Sequence, residues 1–214
     1  FMNLGKITFQ LKAYHSSCSY FQQAEKVYND ADIGNDFLLG QIYYYIAFTY
    51  FKLESLDKSI DYSFLAKEKF RQIDNKKEYA NSLLLLAQQF SKKGDIDNAI
   101  RYSNKTLSVF KDVTDQYYIS SIENSMGKLF CEFNNMEESF IHYSKAKELR
   151  SNNNDPELIE TLINICENYI KMKDIVNTKL TLEEIIKSAK DDNDQVVIKC
   201  YLLEYRVRSE EHTS

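Results

Sequence analysis

The stretch 83–106, LLLLAQQFSKKGDIDNAIRYSNKT, decides the fold of this chain. Leu86 and Ala87 are followed by Phe90, so an apolar, a small and an aromatic residue share one side of a predicted helix. Lys93-Gly94-Asp95 then interrupts this pattern, because glycine readily adopts the left-handed conformation that ends helices. The apolar pattern resumes directly afterwards. The stretch therefore predicts two helices joined by a tight turn.

The same pattern recurs five times along the chain in a nearly constant register. The small residue of the first helix is Gly5, Ala47, Ala87, Gly127 and Cys166, at intervals of 42, 40, 40 and 39 residues. Nine positions later stand the apolar residues Tyr14, Leu56, Ile96, Met136 and Ile175. Three positions further on are the small residues Ser17, Ser59, Ala99, Ser139 and Thr178. Such a register predicts five helix hairpins built on one plan.

Composition favours a folded, all-α protein. Of the 214 residues, 43% are hydrophobic. Only one is proline and five are glycine, which are too few turn-forming residues for an all-β fold. A net charge of −5 argues against a general binder of phosphate backbones, which needs a basic face. No apolar run is long enough to span a membrane, and no signal peptide is recognisable, so we expect a cytoplasmic location.

The repeat layout, with its small residue, aromatic residue and second small residue at fixed offsets, resembles the tetratricopeptide repeat over nearly the whole chain. The resemblance implies an all-α, right-handed superhelical solenoid of antiparallel helix hairpins, with about five repeats and an unpaired C-terminal helix. The tryptophan typical of this repeat is replaced, in successive units, by Tyr43, Leu83, Glu123 and Leu162. The lengthened period of about 40 residues is similar to that of the Gram-positive peptide-pheromone receptors of the Rap and PlcR types, and of several eukaryotic adaptors.

The two ends of the sequence look cut. We expect residues 1–207 to form the repeat domain, and the helix predicted at 194–207 to lack a partner. The tail 208–214 resembles the translation of a sequencing adapter and is expected to be non-native, although a genuine polar tail is the alternative.

Repeat proteins of this kind bind ligands along the first helix of each hairpin, beside the buried stripe. Helical spacing therefore selects the following peptide contacts on the concave face: Gln41, Tyr44, Phe48, Asn81, Gln88, Asn124, Lys128, Asn164, Glu167 and Lys171. An asparagine recurs at Asn81, Asn124 and Asn164, and its amide offers a donor and an acceptor to a peptide backbone. The resemblance implies the same, because the pheromone receptors hold peptides partly through groove asparagines. The alternative is that these amides simply face solvent.

Two further features of this surface have open interpretations. Tyr44 and Phe48 form either an apolar pocket for a ligand side chain or part of the core. Lys128 with Lys92 resembles a clamp for a terminal carboxylate, but the surrounding glutamates argue against a purely basic pocket.

The sequence contains no pattern that indicates catalysis. We expect no catalytic residues, no cofactor and no metal site, because nucleotide-binding motifs and paired metal ligands are missing. His15 and His142 fall on or beside second helices and are interpreted as solvated. Cys18, Cys131, Cys166 and Cys200 are widely spaced and are interpreted as reduced, mostly packing thiols.

These observations predict a protein-binding or peptide-binding module, the scaffold or sensor part of a larger bacterial protein. Two alternatives remain open: the peptide-sensing part of a helix-turn-helix transcriptional regulator, or the regulatory part of a phosphatase-linked or kinase-linked signalling protein. The expected partner is a peptide or protein in the concave groove. We expect no nucleic acid binding by this segment and no membrane contact, and a homodimer would form through the terminal repeats.

Overall fold

The computed structural model describes residues 1–110, 115–152, 155–189 and 203. Ten α-helices lie in this part of the chain: α1 (Met2–Gln10), α2 (Tyr14–Asp30), α3 (Asp36–Lys52), α4 (Leu56–Gln72), α5 (Lys76–Lys93), α6 (Ile96–Phe110), α7 (Gln116–Glu132), α8 (Met136–Asn152), α9 (Leu158–Lys171) and α10 (Ile175–Ser188). The described residues contain no strand. The predicted helix at 194–207, the tail 208–214 and Cys200 lie outside the described residues, apart from Leu203, which is helical and buried.

The helices form five antiparallel hairpins, which we number 1 to 5 in chain order. Hairpins 1 to 3 belong to a first compact unit, Phe1–Val113, and hairpins 4 and 5 to a second, Thr114–Ser214. Within each unit, every helix packs on its sequence neighbours. The second helices begin at Tyr14, Leu56, Ile96, Met136 and Ile175, as the nine-residue offset predicts. The five predicted hairpins and the all-α fold class are therefore confirmed.

Each hairpin turns at the same position of the repeat. Seven residues after each small residue, the backbone enters the left-handed region, at Lys12, Glu54, Gly94, Asn134 and Lys173, with φ between 59° and 81°. Gly94 adopts this conformation without a steric cost and Asn134 tolerates it, whereas for other residues it costs about 1–2 kcal/mol. The hairpin geometry therefore prevails over local preference at Lys12, Glu54 and Lys173.

In three hairpins, a serine joins the two helices by a hydrogen bond. The Oγ atoms of Ser17, Ser59 and Ser139 donate hydrogen bonds of 2.9, 2.7 and 2.8 Å to the carbonyl oxygens of Gly5, Ala47 and Gly127, twelve residues earlier. All three serines are completely buried. In these three hairpins, the small residue of the second helix is thus a hydrogen-bond donor as well as a spacer.

Glycine at the repeat position allows a large ring on the opposite helix. A Cβ atom on Gly5 would lie 2.5 Å from the ring of Phe21, and one on Gly127 would overlap the ring of Tyr143. Where this position is Ala47, the residue on the opposite helix is the smaller Ser63. The pair conserves volume, as close packing requires.

Side chains cap the first helices of hairpins 2, 3 and 4 at their N-terminal ends. Asn35, Asn75 and Asp115 accept hydrogen bonds from the backbone amides of Leu38, Glu78 and Tyr118. Asp155 Oδ1 accepts from the Glu157 amide at 2.8 Å and closes a short turn, so α9 begins at Leu158.

Candidate functional site

The first helices of hairpins 4 and 5 bring together two of the predicted asparagines. Asn164 Nδ2 donates a hydrogen bond of 3.0 Å to Asn124 Oδ1, which joins α9 to α7. Asn124 is 4% exposed, whereas Asn164 is half-buried. The other amide atoms, Asn124 Nδ2 and Asn164 Oδ1, have no hydrogen-bond partner within the described parts of the chain. We call these two residues the amide pair.

Charged side chains lie beside the amide pair, and one ion pair joins the two helices. Lys128 Nζ lies 2.6 Å from Glu160 Oε1, and both side chains are about half exposed. Lys171 Nζ lies 3.1 Å from Cys131 Sγ, and Glu167 is exposed. Surface ion pairs contribute at most about 1 kcal/mol, so a ligand can displace them at little cost.

The lysine clamp for a terminal carboxylate is not supported by these contacts. Lys92 Nζ lies 2.8 Å from Glu54 Oε1 and 5.5 Å from the centroid of the Phe51 ring. Lys128 has Glu160 as its partner. Each lysine is thus neutralised by a carboxylate of its own unit.

The predicted contacts of the first unit include a ladder of aromatic rings. Phe9 stacks on Phe48 with centroids 5.0 Å apart, and Phe48 stacks on Tyr44 at 6.2 Å. All three side chains are half-buried, so the ladder joins α1 to α3 and still presents an apolar edge. Burial of the Tyr44 hydroxyl, together with the charge of Glu78, raises the pKa of Tyr44 above its ordinary value.

The remaining predicted contacts lie on α3 and α5. Asn81 Nδ2 donates to Glu78 Oε2 at 3.1 Å, which is a contact within one helical turn. Gln41, Gln88 and the adjacent Leu84 are half-buried. These side chains lie beside the buried stripe, where helical spacing places them.

A buried polar pair in hairpin 4 is a feature that sequence reasoning missed. Nδ1 of His142 lies 2.6 Å from Glu123 Oε2, and the two residues are 5% and 8% exposed. The imidazole also stacks on Phe130, with ring centroids 5.2 Å apart. The interpretation of His142 as solvated was wrong. The sequence did contain an indication that His142 is buried: Glu123 is a carboxylate at a core position, and such a group needs a polar partner on the facing helix.

A buried arginine fixes the connection between α8 and α9. Arg150 is 1% exposed, and its guanidinium donates to the Glu157 carbonyl oxygen at 2.9 Å, to the Glu157 carboxylate and to Thr161 Oγ1. Its Nη2 atom also reaches Ser121 Oγ at 3.4 Å, on α7. In the sequence, Arg150 resembles an ordinary cation in the last turn of a helix.

Neither a metal centre nor a membrane span is found among the residues that the structure describes. They hold no group of three or more histidine, cysteine or acidic side chains able to bind a metal ion. No helix in the same ranges is long and apolar enough to cross a membrane. Cys18 and Cys166 are buried free thiols and Cys131 is a half-buried one.

Comparison with known proteins supports the fold. No protein-family model matches the chain. The chain is 20% identical over 191 residues to the transcriptional activator NprA of Geobacillus stearothermophilus, covering 89% of this chain and 47% of NprA. The chain thus spans about half the length of this relative.

Solved structures give the same picture. A Rap protein complexed with Competence and Sporulation Factor is similar with a TM-score of 0.76 and 15% identity, over 94% of this chain and 62% of that protein. The apo form of the quorum sensor NprR from B. thuringiensis gives a TM-score of 0.76 and 18% identity, over 93% and 55%. TPR-like repeats of a putative kinesin light chain of Podosopora anserina give 0.69 and 8%, over 87% and 92%. The chain therefore has the tetratricopeptide-like fold.

Proposed function

We propose that this chain is the ligand-sensing module of a larger bacterial regulator and that it binds an extended peptide on its first helices. The amide pair of Asn124 and Asn164 is the observation that carries the proposal. One donor and one acceptor remain on neighbouring helices, which is the complement of the carbonyl and amide of a peptide unit. Such contacts hold a backbone independently of its side chains.

The surroundings of the amide pair suit a peptide rather than a simple anion. Lys128, Glu160, Glu167 and Lys171 place both signs of charge within this surface. A ligand side chain of either sign then finds a partner, and sequence selectivity follows from the pattern of charges. Separately, the edge of the Phe9, Phe48 and Tyr44 ladder offers an apolar contact for a side chain of a ligand bound to the first unit.

The similar proteins support the same assignment. One solved Rap protein is complexed with Competence and Sporulation Factor, and NprR is a quorum sensor that also has a structure with its cognate peptide NprX. These proteins are longer than this chain, so the response to the peptide belongs to a further part of the whole protein. We place the module in the cytoplasm, without enzymatic activity of its own, without contact to nucleic acid, and with a homodimer formed through its terminal repeats.

The test is selection of a peptide ligand followed by removal of the amides. The purified chain is incubated with a synthetic library of short randomised peptides, and the retained peptides are identified by mass spectrometry and titrated individually. Asn124→Ala and Asn164→Ala are each expected to weaken the selected peptide by about tenfold, the equivalent of one or two hydrogen bonds. Asn104→Ala, on an exposed face of α6, is the matched control and should bind normally.

Melting temperatures separate binding from folding in this experiment. Ala87 is completely buried, so Ala87→Leu overpacks the core and sets the scale of a structural defect. If the asparagine variants melt as early as Ala87→Leu, the amides are structural and the proposed site is misplaced. Failure of the library to yield any peptide that competes at this surface would also refute it.

A transcriptional regulator is the first specific form of this function, because the similar NprA is a transcriptional activator. A regulator of a phosphatase or kinase is the second. The uninterrupted gene distinguishes them: a helix-turn-helix unit encoded in the same reading frame favours the activator, and a helical bundle or a catalytic motif favours the other.

A further inference from the structure

The second helices of hairpins 2 and 3 carry a group of cations that the sequence does not reveal. Lys67 and Arg71 are four residues apart on α4, and Arg101 and Lys105 are four residues apart on α6. We call these four residues the cationic patch. Lys67 is half-buried and the other three are exposed.

Aromatic rings bring the two helices and their cations together. Lys67 Nζ lies 4.8 Å from the centroid of the Phe64 ring, and the guanidinium carbon of Arg101 lies 4.8 Å from that of Tyr102. The two rings meet edge to face, with centroids 6.1 Å apart. Lys105 Nζ lies 5.8 Å from the ring of Tyr79 on α5. The rings support the alkyl stems and hold the charges at the surface.

Three of the four cations of the patch differ from other basic residues of the same unit, because they form no ion pair in the part of the chain that the structure describes. Lys69, Lys92 and Lys93 each contact a carboxylate at 2.6–2.8 Å. Within the described ranges, Lys67, Arg101 and Lys105 form no ion pair, and Arg71 is bound to Glu68 on its own helix. Burial lowers the pKa of Lys67, and so do the charges of Lys105, Arg71 and Arg101, while Glu68 acts in the opposite direction. An anion bound between the helices would relieve this repulsion.

A cavity of about 220 Å³ adjoins the cationic patch. Its lining includes Arg71, Lys76, Tyr79 and Ser108, so it combines two cations, a phenol and a hydroxyl group. Asp74 also lines it, which makes the cavity unsuitable for a bare phosphate chain. Arg71 belongs to both features, and Tyr79, which lines the cavity, lies beneath Lys105 of the patch, so the patch and the cavity form one continuous surface.

We infer that this surface is a second binding site, distinct from the amide pair, for an extended acidic segment of a partner protein. Cations four residues apart on a helix are separated by about 6 Å along its axis, and alternate side chains of an extended chain by about 6.7 Å. A segment with Glu or Asp at every second residue therefore matches the patch.

The inference is tested with a fluorescent peptide of about ten residues that alternates glutamate and serine, long enough to follow both helices. Its binding to the whole chain is measured by anisotropy at low and at physiological ionic strength. The variant Lys67→Gln, Arg101→Gln, Lys105→Gln is expected to bind about tenfold more weakly or worse. The matched control, Lys12→Gln, Lys26→Gln, Lys58→Gln, removes the same charge from exposed positions of the same unit and should bind normally.

Charge reversal and a competing polyanion complete the test. The variant Lys67→Glu, Arg101→Glu, Lys105→Glu should instead bind the peptide in which lysine replaces glutamate, and circular dichroism should show that all variants are folded. Three results would overturn the inference: no salt-dependent binding by the unaltered chain, equal losses in the patch and control variants, or a DNA duplex that competes as strongly as the peptide.

Discussion

Hairpins 2 and 4 have the same backbone plan but different interiors. At two matched positions, 80 residues apart, hairpin 2 has Tyr43 and Tyr62, whose ring centroids lie 5.9 Å apart, and hairpin 4 has Glu123 and His142, joined at 2.6 Å. Both hairpins keep the serine hydrogen bond between their helices. The plan thus tolerates either a pair of rings or a pair of polar groups at one site.

The difference shows what the repeat fixes and what it leaves free. The elements fixed in all five hairpins are the small residues and the left-handed turn, because they set the distance and direction between the two helices. The two residues that face each other across the hairpin, such as Tyr43 and Tyr62 or Glu123 and His142, need only be complementary to each other. A buried polar pair is complementary in a stricter sense, since either member alone is left without a partner in a site that excludes water.

The largest expected effect comes from separating the polar pair. Glu123→Leu leaves the buried His142 without its carboxylate and should lower the free energy of unfolding by about 3 kcal/mol. Glu123→Leu combined with His142→Tyr reproduces the residues found in hairpin 3, Leu83 and Tyr102, and should recover most of that loss. Urea denaturation measures both variants. A double variant no more stable than the single one would show that the two positions are not exchangeable as a pair.

The next largest effect is expected at the glycine of hairpin 4. A methyl group on Gly127 would overlap the Tyr143 ring, so Gly127→Ala should destabilise the chain by about 2 kcal/mol. The matched change in hairpin 2, Ala47→Gly, removes a methyl group from a helix and should cost only about 1 kcal/mol. Thermal unfolding compares the two. Equal losses would mean that the ring can move aside.

Removal of the serine hydroxyls should give smaller and unequal losses. Ser139→Ala loses one hydrogen bond and should cost about 1 kcal/mol. Ser59 also accepts a hydrogen bond of 2.6 Å from Nε2 of the buried Gln89, so Ser59→Ala should cost more. Urea denaturation should rank Ser59→Ala as the less stable variant, and the opposite order would exclude a role for Gln89.

The smallest effect concerns the pH dependence of a contact that Tyr62, of the aromatic pair in hairpin 2, makes with Glu25 on α2. The Tyr62 hydroxyl donates to Glu25 Oε2 at 3.2 Å, and burial raises the pKa of Glu25 above its ordinary value. The folded chain therefore holds this proton more tightly than the unfolded one, whose glutamates titrate near pH 4.3. The bound proton therefore stabilises the folded chain below about pH 4.3, and this contribution disappears as the pH rises through the raised pKa of Glu25.

Glu25→Gln isolates this contribution. The melting temperature of the unaltered chain, relative to that of Glu25→Gln, should fall slightly as the pH rises from about 4.3 through the raised pKa of Glu25. A relative melting temperature that rises with pH over this range would show that the charged carboxylate is the form that stabilises hairpin 2.

The sequence predicted the hairpins well because their spacing is encoded in local residue types. The small residues and the offset of nine residues are sufficient to locate all five second helices. The site was predicted less completely. The repeat register predicted equivalent positions for Asn124 on α7 and Asn164 on α9. Their hydrogen bond, however, depends on the distance between these two helices, which no local sequence pattern contains. Arg150 and His142 were underestimated for the same reason, since burial of a polar side chain is decided by partners elsewhere in the chain.

The serine hydrogen bonds also bear on how the chain folds. Each joins residues only twelve apart, and the helix contacts link sequence neighbours almost throughout. Contacts of such short sequence separation involve little loss of loop entropy, so folding is expected to be fast and to begin in more than one hairpin. During synthesis, a hairpin can close as soon as its own residues have left the ribosome, before the next repeat has been translated.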